Sequence, residues 1–316
     1  MGLRRLAPFW TAGLLCALTL AGWLSPGHGA APPRDEFAKE ESDWRAQHVA
    51  DLQKPDGWLS LIGLEWLQAG ETSLGSAPDN KIHLPASAPA HVAILKLEND
   101  KVSLLAPKGG FPAGLLVAGQ SAKEGDLRVD PDRDKFNSHL TIGTLNFYAI
   151  KREARYAVRI KDSRAPSLTG FQGLHWYATD PAYKVTAKWV PYAPAKSVSL
   201  VTLVGTTYSL PVPGYAEFTL QGKTFRVEPV IEDPQPTKLF FILKDTTSVS
   251  STYPSCRFLY TPLPDHGLDQ PGQLVLDFNH LENPPCAYTP YATCPLPPAG
   301  NRLPMALPVG EQRYHK

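Results

Sequence analysis

Between Asn279 and Pro308 the chain reads NHLENPPCAYTPYATCPLPPAGNRLPMALP, with eight prolines in thirty residues. Proline has no amide hydrogen to donate and its ring fixes φ, so most of this stretch can be neither helix interior nor central strand. Its carbonyls must therefore find partners outside regular ladders. A disordered tail is one outcome for such a composition. The stretch also carries Cys286, Cys294, Tyr288, Tyr291 and three asparagines, which is unlike a solvating tail. An ordered, irregular loop packed on a neighbouring domain is the expectation.

Glycine and proline together supply 56 of 316 residues, yet 43% of the chain is hydrophobic and 10% aromatic. That is enough to bury a sizeable core. No strict three-residue glycine period exists, which excludes a collagen-like chain. With 31 basic and 30 acidic residues, the net charge of +1 gives no electrostatic case for nucleic acid, anionic lipid or an acidic partner.

At the N-terminus Arg4 and Arg5 precede the apolar run Leu14 to Leu24, a breaking Ser25-Pro26-Gly27 and the small residues Gly29-Ala30-Ala31. This order predicts a secretory signal peptide over residues 1–31, cleaved near Ala30 or Ala31. The alternative, a membrane anchor, needs roughly 20 apolar residues, and the run falls short. Cys16 lies early in that run without preceding small residues, so lipid attachment is not expected. A periplasmic or secreted chain without stable membrane insertion follows. It would keep Cys256, Cys286 and Cys294.

Residues 32–55 contain the one convincing helix, Arg34 to Gln53, with Phe37, Trp44, Val49 and Leu52 roughly on one face. Its charged residues read most simply as a solvated face. From Trp58 the pattern changes to short β-branched and aromatic runs separated by turn residues. Among the expected strands are Trp58–Leu64, Leu140–Lys151, Tyr156–Ile160, Tyr183–Val190, Ser197–Val204 and Leu274–Phe278. Glu98-Asn99-Asp100-Lys101 and Gln221-Gly222-Lys223 read as hairpin turns. The fold class is therefore all-β, with two sandwich- or barrel-like domains, residues 56–152 and 153–316, the second carrying the proline-rich loop.

The strings DGWLSLIGLEWL, RYAVRIKD, KDTTSVSSTYPSCRFLY and DFNHLENPPCAYTPYATCPLPPAGNRLP closely resemble the bacterial and archaeal family called domain of unknown function 1684. The resemblance runs from about Asp43 to Tyr314 and implies no established activity. The chain departs from the usual pattern with His280, where an arginine is typical, and with Ser255-Cys256 in place of a Gly-rich turn. A second, weaker resemblance lies in GSAPDNKIHLPASAPAHVAILKL, residues 75–97, which looks like the start of a forkhead-associated β-sandwich. Gly75, Asp79, Asn80, Ile82, Leu84 and His91 carry it. Ser76 and roughly Ala88 stand where that family binds phosphothreonine through arginine and serine. Without the guanidinium fork, phosphopeptide binding is not expected, and His91 reads as a structural histidine.

In an exported chain, Cys286 and Cys294 read as a disulfide closing a small loop, worth about 2.5 kcal/mol by chain entropy. The competing reading is a catalytic thiol at Cys286. Zinc around Asp277, His280, Cys286 and Cys294 lacks the usual ligand spacings, so no metal and no cofactor are expected. Asp277 and Glu311 could act as paired carboxylates. Lys244, Asp245, Tyr253, Arg257, Asn279, Asn283, Thr289, Tyr291 and Asn301 could line a binding site beside them. The alternative is that these residues cap turns and satisfy the loop backbone. No nucleophile-elbow, zincin, P-loop or dinucleotide-binding fingerprint occurs. The leading expectation is a protein binding a small molecule or glycan at the C-terminal loop. The alternatives are a hydrolase or transferase acting at the same loop, and a structural envelope protein.

Overall fold

The structure, a computed structural model, describes residues 34–130 and 134–314. The expected signal peptide lies outside the described residues. Helix α1, Arg34–Leu52, ends within one residue of the expected position. Phe37 and Leu52 are buried, as a packed face requires, but the charged residues are not all solvated as expected. Positions 37, 41, 45, 48 and 52 recur at helical spacing, so the face that anchors α1 includes Glu41, Arg45 and His48. Glu41 is only 1% exposed, and Arg45 donates to the Tyr177 carbonyl at 2.9 Å.

The first sandwich contains β1 (Leu61–Trp66), β2 (Gly70–Gly75), β3 (Ile82–His83), β4 (Ala93–Glu98), β5 (Lys101–Leu105) and β6 (Leu116–Val117). It continues with β7 (Gln120–Ser121), β8 (Gly125–Asp126), β9 (Leu140–Ile142), β10 (Leu145–Arg152) and β11 (Arg155–Asp162). Six strands form one sheet in the order β1-β11-β10-β9-β6-β7, and five form the other, β3-β2-β4-β5-β8. Leu74, Leu95 and Leu104 from one sheet share a core with Leu140, Phe147 and Val158 from the other. The alternation along β5, with Val102 and Leu104 inward, is what lets each sheet bury one face. Asn99 and Asp100 both adopt positive φ, 50° and 58°, which suits the two-residue turn joining β4 to β5.

β11 corrects the expected boundary between residues 152 and 153. It is hydrogen-bonded between β1 and β10, so the first sandwich extends to Asp162. A tight turn after Arg152 keeps the chain in the same sheet. The expected strand Leu140–Lys151 is two strands, broken where Gly143 takes φ 57°.

After the short helix α2 (Pro166–Thr169) come β12 (Lys184–Val201), β13 (Thr207–Leu220), β14 (Lys223–Val227), β15 (Lys238–Leu243), β16 (Arg257–Pro262) and β17 (Gly272–Asp277). A four-stranded sheet, β14-β13-β12-β17, and the β15-β16 pair enclose Trp189, Phe218, Phe241, Leu259 and Phe278. The two strands expected at Tyr183–Val190 and Ser197–Val204 are one, β12. A register shift between Pro191 and Lys196 absorbs the prolines as a bulge instead of ending the strand.

The proline-rich loop is ordered. It runs through 3₁₀ turns at Pro285–Ala287 and Ala299–Asn301 and touches the strands through isolated bridges such as Phe258 to Glu282 and Lys244 to Arg302. From Asn301 to Val309 buried and exposed residues alternate, with Leu303, Met305 and Leu307 facing the core. Among the described residues, no helix is long and apolar enough to cross a membrane.

Candidate functional site

The residues singled out in the sequence do not gather in one concavity. They form internal groups that hold the loop. Arg257 and Asp245, both nearly fully buried, pair at 2.6 Å, and Arg257 also donates to the Leu307 and Val309 carbonyls. Asp245 accepts from the Thr247 and Leu307 amides. Lys244 donates to the Pro254 carbonyl and Tyr253 to that of Cys286. Asn301 accepts from the Glu228 amide and donates to the carbonyls of Glu228 and Ile242. Thr289 donates to the Leu61 carbonyl at 2.9 Å, tying the loop to the first sandwich, and receives the Tyr291 amide. Apart from Lys244, these side chains bond backbone groups of the proline-rich segment or tie that segment to backbone elsewhere in the fold.

Glu311 is likewise internal. One of its oxygens accepts from Asn283 Nδ2 and the Tyr288 hydroxyl, and the other from the Asn283 amide. It is fully buried, and all of the bonds named here go to the protein itself. The expected disulfide is not formed. Cys256, Cys286 and Cys294 are free thiols, and the Cys286 amide donates to Cys294 Sγ at 3.2 Å. The hydrogen bond with Cys294 lowers the Cys286 thiol below its ordinary range, while burial pushes Cys294 up.

The loop does meet solvent along one edge, where it faces α1 and the first sandwich. His48 of α1 lies 3.2 Å from Glu282 and 3.4 Å from Glu311. Burial alone would depress the imidazole, but the close approach of the two glutamates prevails and raises it to about 10. Trp44 is stacked between His48 and His280, with ring centroids 5.4 and 4.3 Å away and planes within 7°. Behind this stack Asn279 donates its amide and side chain to Asp277 Oδ1, at 3.1 and 2.9 Å, and is itself locked to Asp180.

Two cavities open at this edge. The first, about 570 Å³, is lined by Trp44, His48, Trp58, Lys161, Tyr260 and Glu282 among others. The second, about 900 Å³, runs between the two β-domains past Arg159, Tyr208, Tyr260, Tyr288 and Cys294. This adjoining pair, termed the cleft, shares His48, Leu52, Trp58, Tyr260 and Glu282 in its walls. Within it, burial and the nearby Arg159 push the Lys161 amine down to about 8, against the opposing pull of Asp56. On the far wall Asp134 pairs with both Arg152 and Arg159, at 2.9 and 2.6 Å.

Residues 169–312 match the family model described as protein of unknown function, DUF1684. The match makes this stretch a DUF1684-like region and covers less than half of the chain. Its extent is shorter than the resemblance expected from sequence, and it leaves out α1 and the first sandwich. A structure solved by NMR, that of an uncharacterized protein from gene locus rrnAC0354 of Haloarcula marismortui, is 27% identical. That alignment covers 46% of this chain and 78% of the other, with a TM-score of 0.39. A search of curated proteins found no match. The cleft therefore sits at a seam: the DUF1684 region supplies Tyr260, His280 and Glu282, and the preceding chain supplies His48, Trp58 and Lys161.

Glu41, His48, Trp58, Lys161, Tyr260 and Glu282 were not among the residues singled out in the sequence. For Glu41 and His48 a signal existed. They lie four and eleven residues after Phe37, on the same helical face as the apolar anchors. Trp58 and Lys161 carry no local signal, because only the pairing of β1 with β11 brings their segments together.

Proposed function

We propose that this chain is an exported binding protein for a small polar molecule or short glycan, held in the cleft between α1, the first sandwich and the DUF1684 region. The observation that carries this reading is the adjacency of the two cavities, which share five lining residues. Together they offer the volume of a ligand site, aromatic side chains at Trp58 and Tyr260, the latter already stacked on Phe240, and charged groups of both signs. Aromatic rings flanked by hydrogen-bonding groups suit a molecule with an apolar face and a polar rim. Export follows from the N-terminal leader pattern. The first sandwich serves as a forkhead-associated-like scaffold without phosphopeptide binding, a reading supported by its two packed sheets and by Ser76, whose hydroxyl donates to the Ala88 carbonyl.

The test is a thermal-shift and calorimetric screen against di- to hexasaccharides and small polar metabolites. Binding should appear in the wild type and weaken about tenfold in Trp58→Ala and in Tyr260→Ala. Silence across the screen would leave a purely structural role. The lowered Lys161 amine favours a second reading, a hydrolase or transferase using that nitrogen as base or nucleophile. Turnover abolished by Lys161→Met at unchanged melting temperature would support it.

A further inference from the structure

We infer that Glu41, Asp277 and His280 form a binding site for a divalent transition-metal ion, zinc foremost. The site is separate from the cleft reading and does not depend on it. Glu41 comes from the inner face of α1, Asp277 ends β17, and His280 closes the 3₁₀ turn that follows. One donor atom from each lies within 4.8 Å of the other two. Donors about 2.0–2.2 Å from a shared tetrahedral zinc ion stand about 3.4 Å apart, so the widest pair would close by no more than roughly 1.4 Å.

The donors are also unsatisfied. Both carboxylate oxygens of Glu41, Asp277 Oδ2 and His280 Nε2 are buried and have no hydrogen-bond partner. Glu41 is 1% exposed and Asp277 6%. The 3.1 Å approach of His280 Nε2 to Glu41 Oε1 is too poorly aligned to be a hydrogen bond. Leaving a buried carboxylate in that state costs several kcal/mol unless a cation is present. Lys184 and Arg45 are nearby cations. Lys184 lies closer to Glu40, at 3.0 Å, than to Asp277, at 3.6 Å. Arg45 feels the charge of Glu41 but donates to the Tyr177 carbonyl. Counting Glu40, Glu41 and Asp277 against Lys184 and Arg45 leaves one negative charge, so a metal ion with a neutral imidazole ligand would meet a net anionic group.

The surroundings hold these donors as metal ligands are usually held. Asn279 fixes Asp277 through Oδ1 alone and leaves Oδ2 directed at the group. Trp44 stacks on His280 at 4.3 Å and sets the plane of its ring. The cysteines weighed with Asp277 and His280 in the sequence are replaced here by Glu41, a residue 236 positions away from Asp277 along the chain. One nitrogen and two carboxylates suit zinc and its neighbours. Three protein donors also leave one tetrahedral position open, and His280 lines the cleft.

After chelation and buffer exchange, calorimetric titration of the chain with zinc should show one site per molecule. Glu41→Gln and His280→Arg should weaken it at least roughly 100-fold, whereas His91→Gln, at an exposed histidine, should not. In His280→Arg a guanidinium takes the place of the metal, so this variant is expected to keep its fold and lose zinc-dependent thermal stabilisation. Equal zinc binding by wild type and folded His280→Arg would overturn the assignment. Cobalt(II) gives a second readout that needs no variant: the site should produce a visible d–d band that one equivalent of zinc abolishes. Absence of that band would also overturn the assignment.

Discussion

The two β-regions solve the same problem in different ways. In the first sandwich the ladders of two sheets carry the fold, supplemented by loop hydrogen bonds, and the shared core is largely aliphatic, built on Leu74, Leu95, Leu104 and Leu140. In the second region a short sheet and a strand pair are completed by a loop that prolines bar from any ladder. Its interior therefore contains Arg257, Asp245, Asn283 and Glu311, bonded to loop backbone or to one another. It also holds Asn279 and Asn301, loop residues whose side chains bond to Asp180, Asp277, Glu228 and Ile242. Clusters of buried polar side chains resemble active sites when read from sequence. Here most of them replace the hydrogen bonds that a regular strand would have made.

The largest expected effect tests this directly. Arg257→Ala strands Asp245 without its partner and frees the Leu307 and Val309 carbonyls, so urea unfolding should show a loss of about 3–5 kcal/mol. A loss below about 1 kcal/mol would mean that the polar interior is not what holds the loop. The next effect is pH-dependent. His48 is raised from about 6.5 to about 10 in the folded chain, so its stabilisation is fully present below pH 6.5 and disappears as pH rises through 10. His48→Gln should therefore cost on the order of 2–3 kcal/mol near pH 6 and almost nothing above pH 10. A cost independent of pH would show that His48 acts by packing alone. The smallest perturbation is a thiol count. Denatured, unreduced protein should show Cys256, Cys286 and Cys294 all reactive. A single reactive thiol among the three would mean that a covalent staple shares the loop's support.

Several elements were legible in the sequence because their causes are local. The apolar spacing of α1, the Asn99-Asp100 and Gln221-Gly222 turns, and the order of the proline-rich loop all follow from residues near one another. The errors share a different cause. β12 continues through Pro191 because β13 shifts register to accommodate it, and β11 joins the first sheet because β1 waits as its partner. The expected Asp277–Glu311 pair divides into separate groups. Glu311 turns to Asn283, Tyr288 and His48, and Asp277 turns to Asn279, His280 and Glu41. Glu41, taken as a solvated helix residue, proved to be one of the most buried acids of the described chain.

By itself the sequence determined the fold class, the helix and the position of the irregular loop, since backbone chemistry and periodicity act over a few residues. Tertiary structure alone decided which polar groups are structural and which remain unsatisfied. That depends on partners supplied across the fold: Leu61 for Thr289, Glu228 for Asn301, and α1 for the end of β17. A side chain's hydrogen-bond balance is a property of its surroundings, and only the folded chain assembles those surroundings.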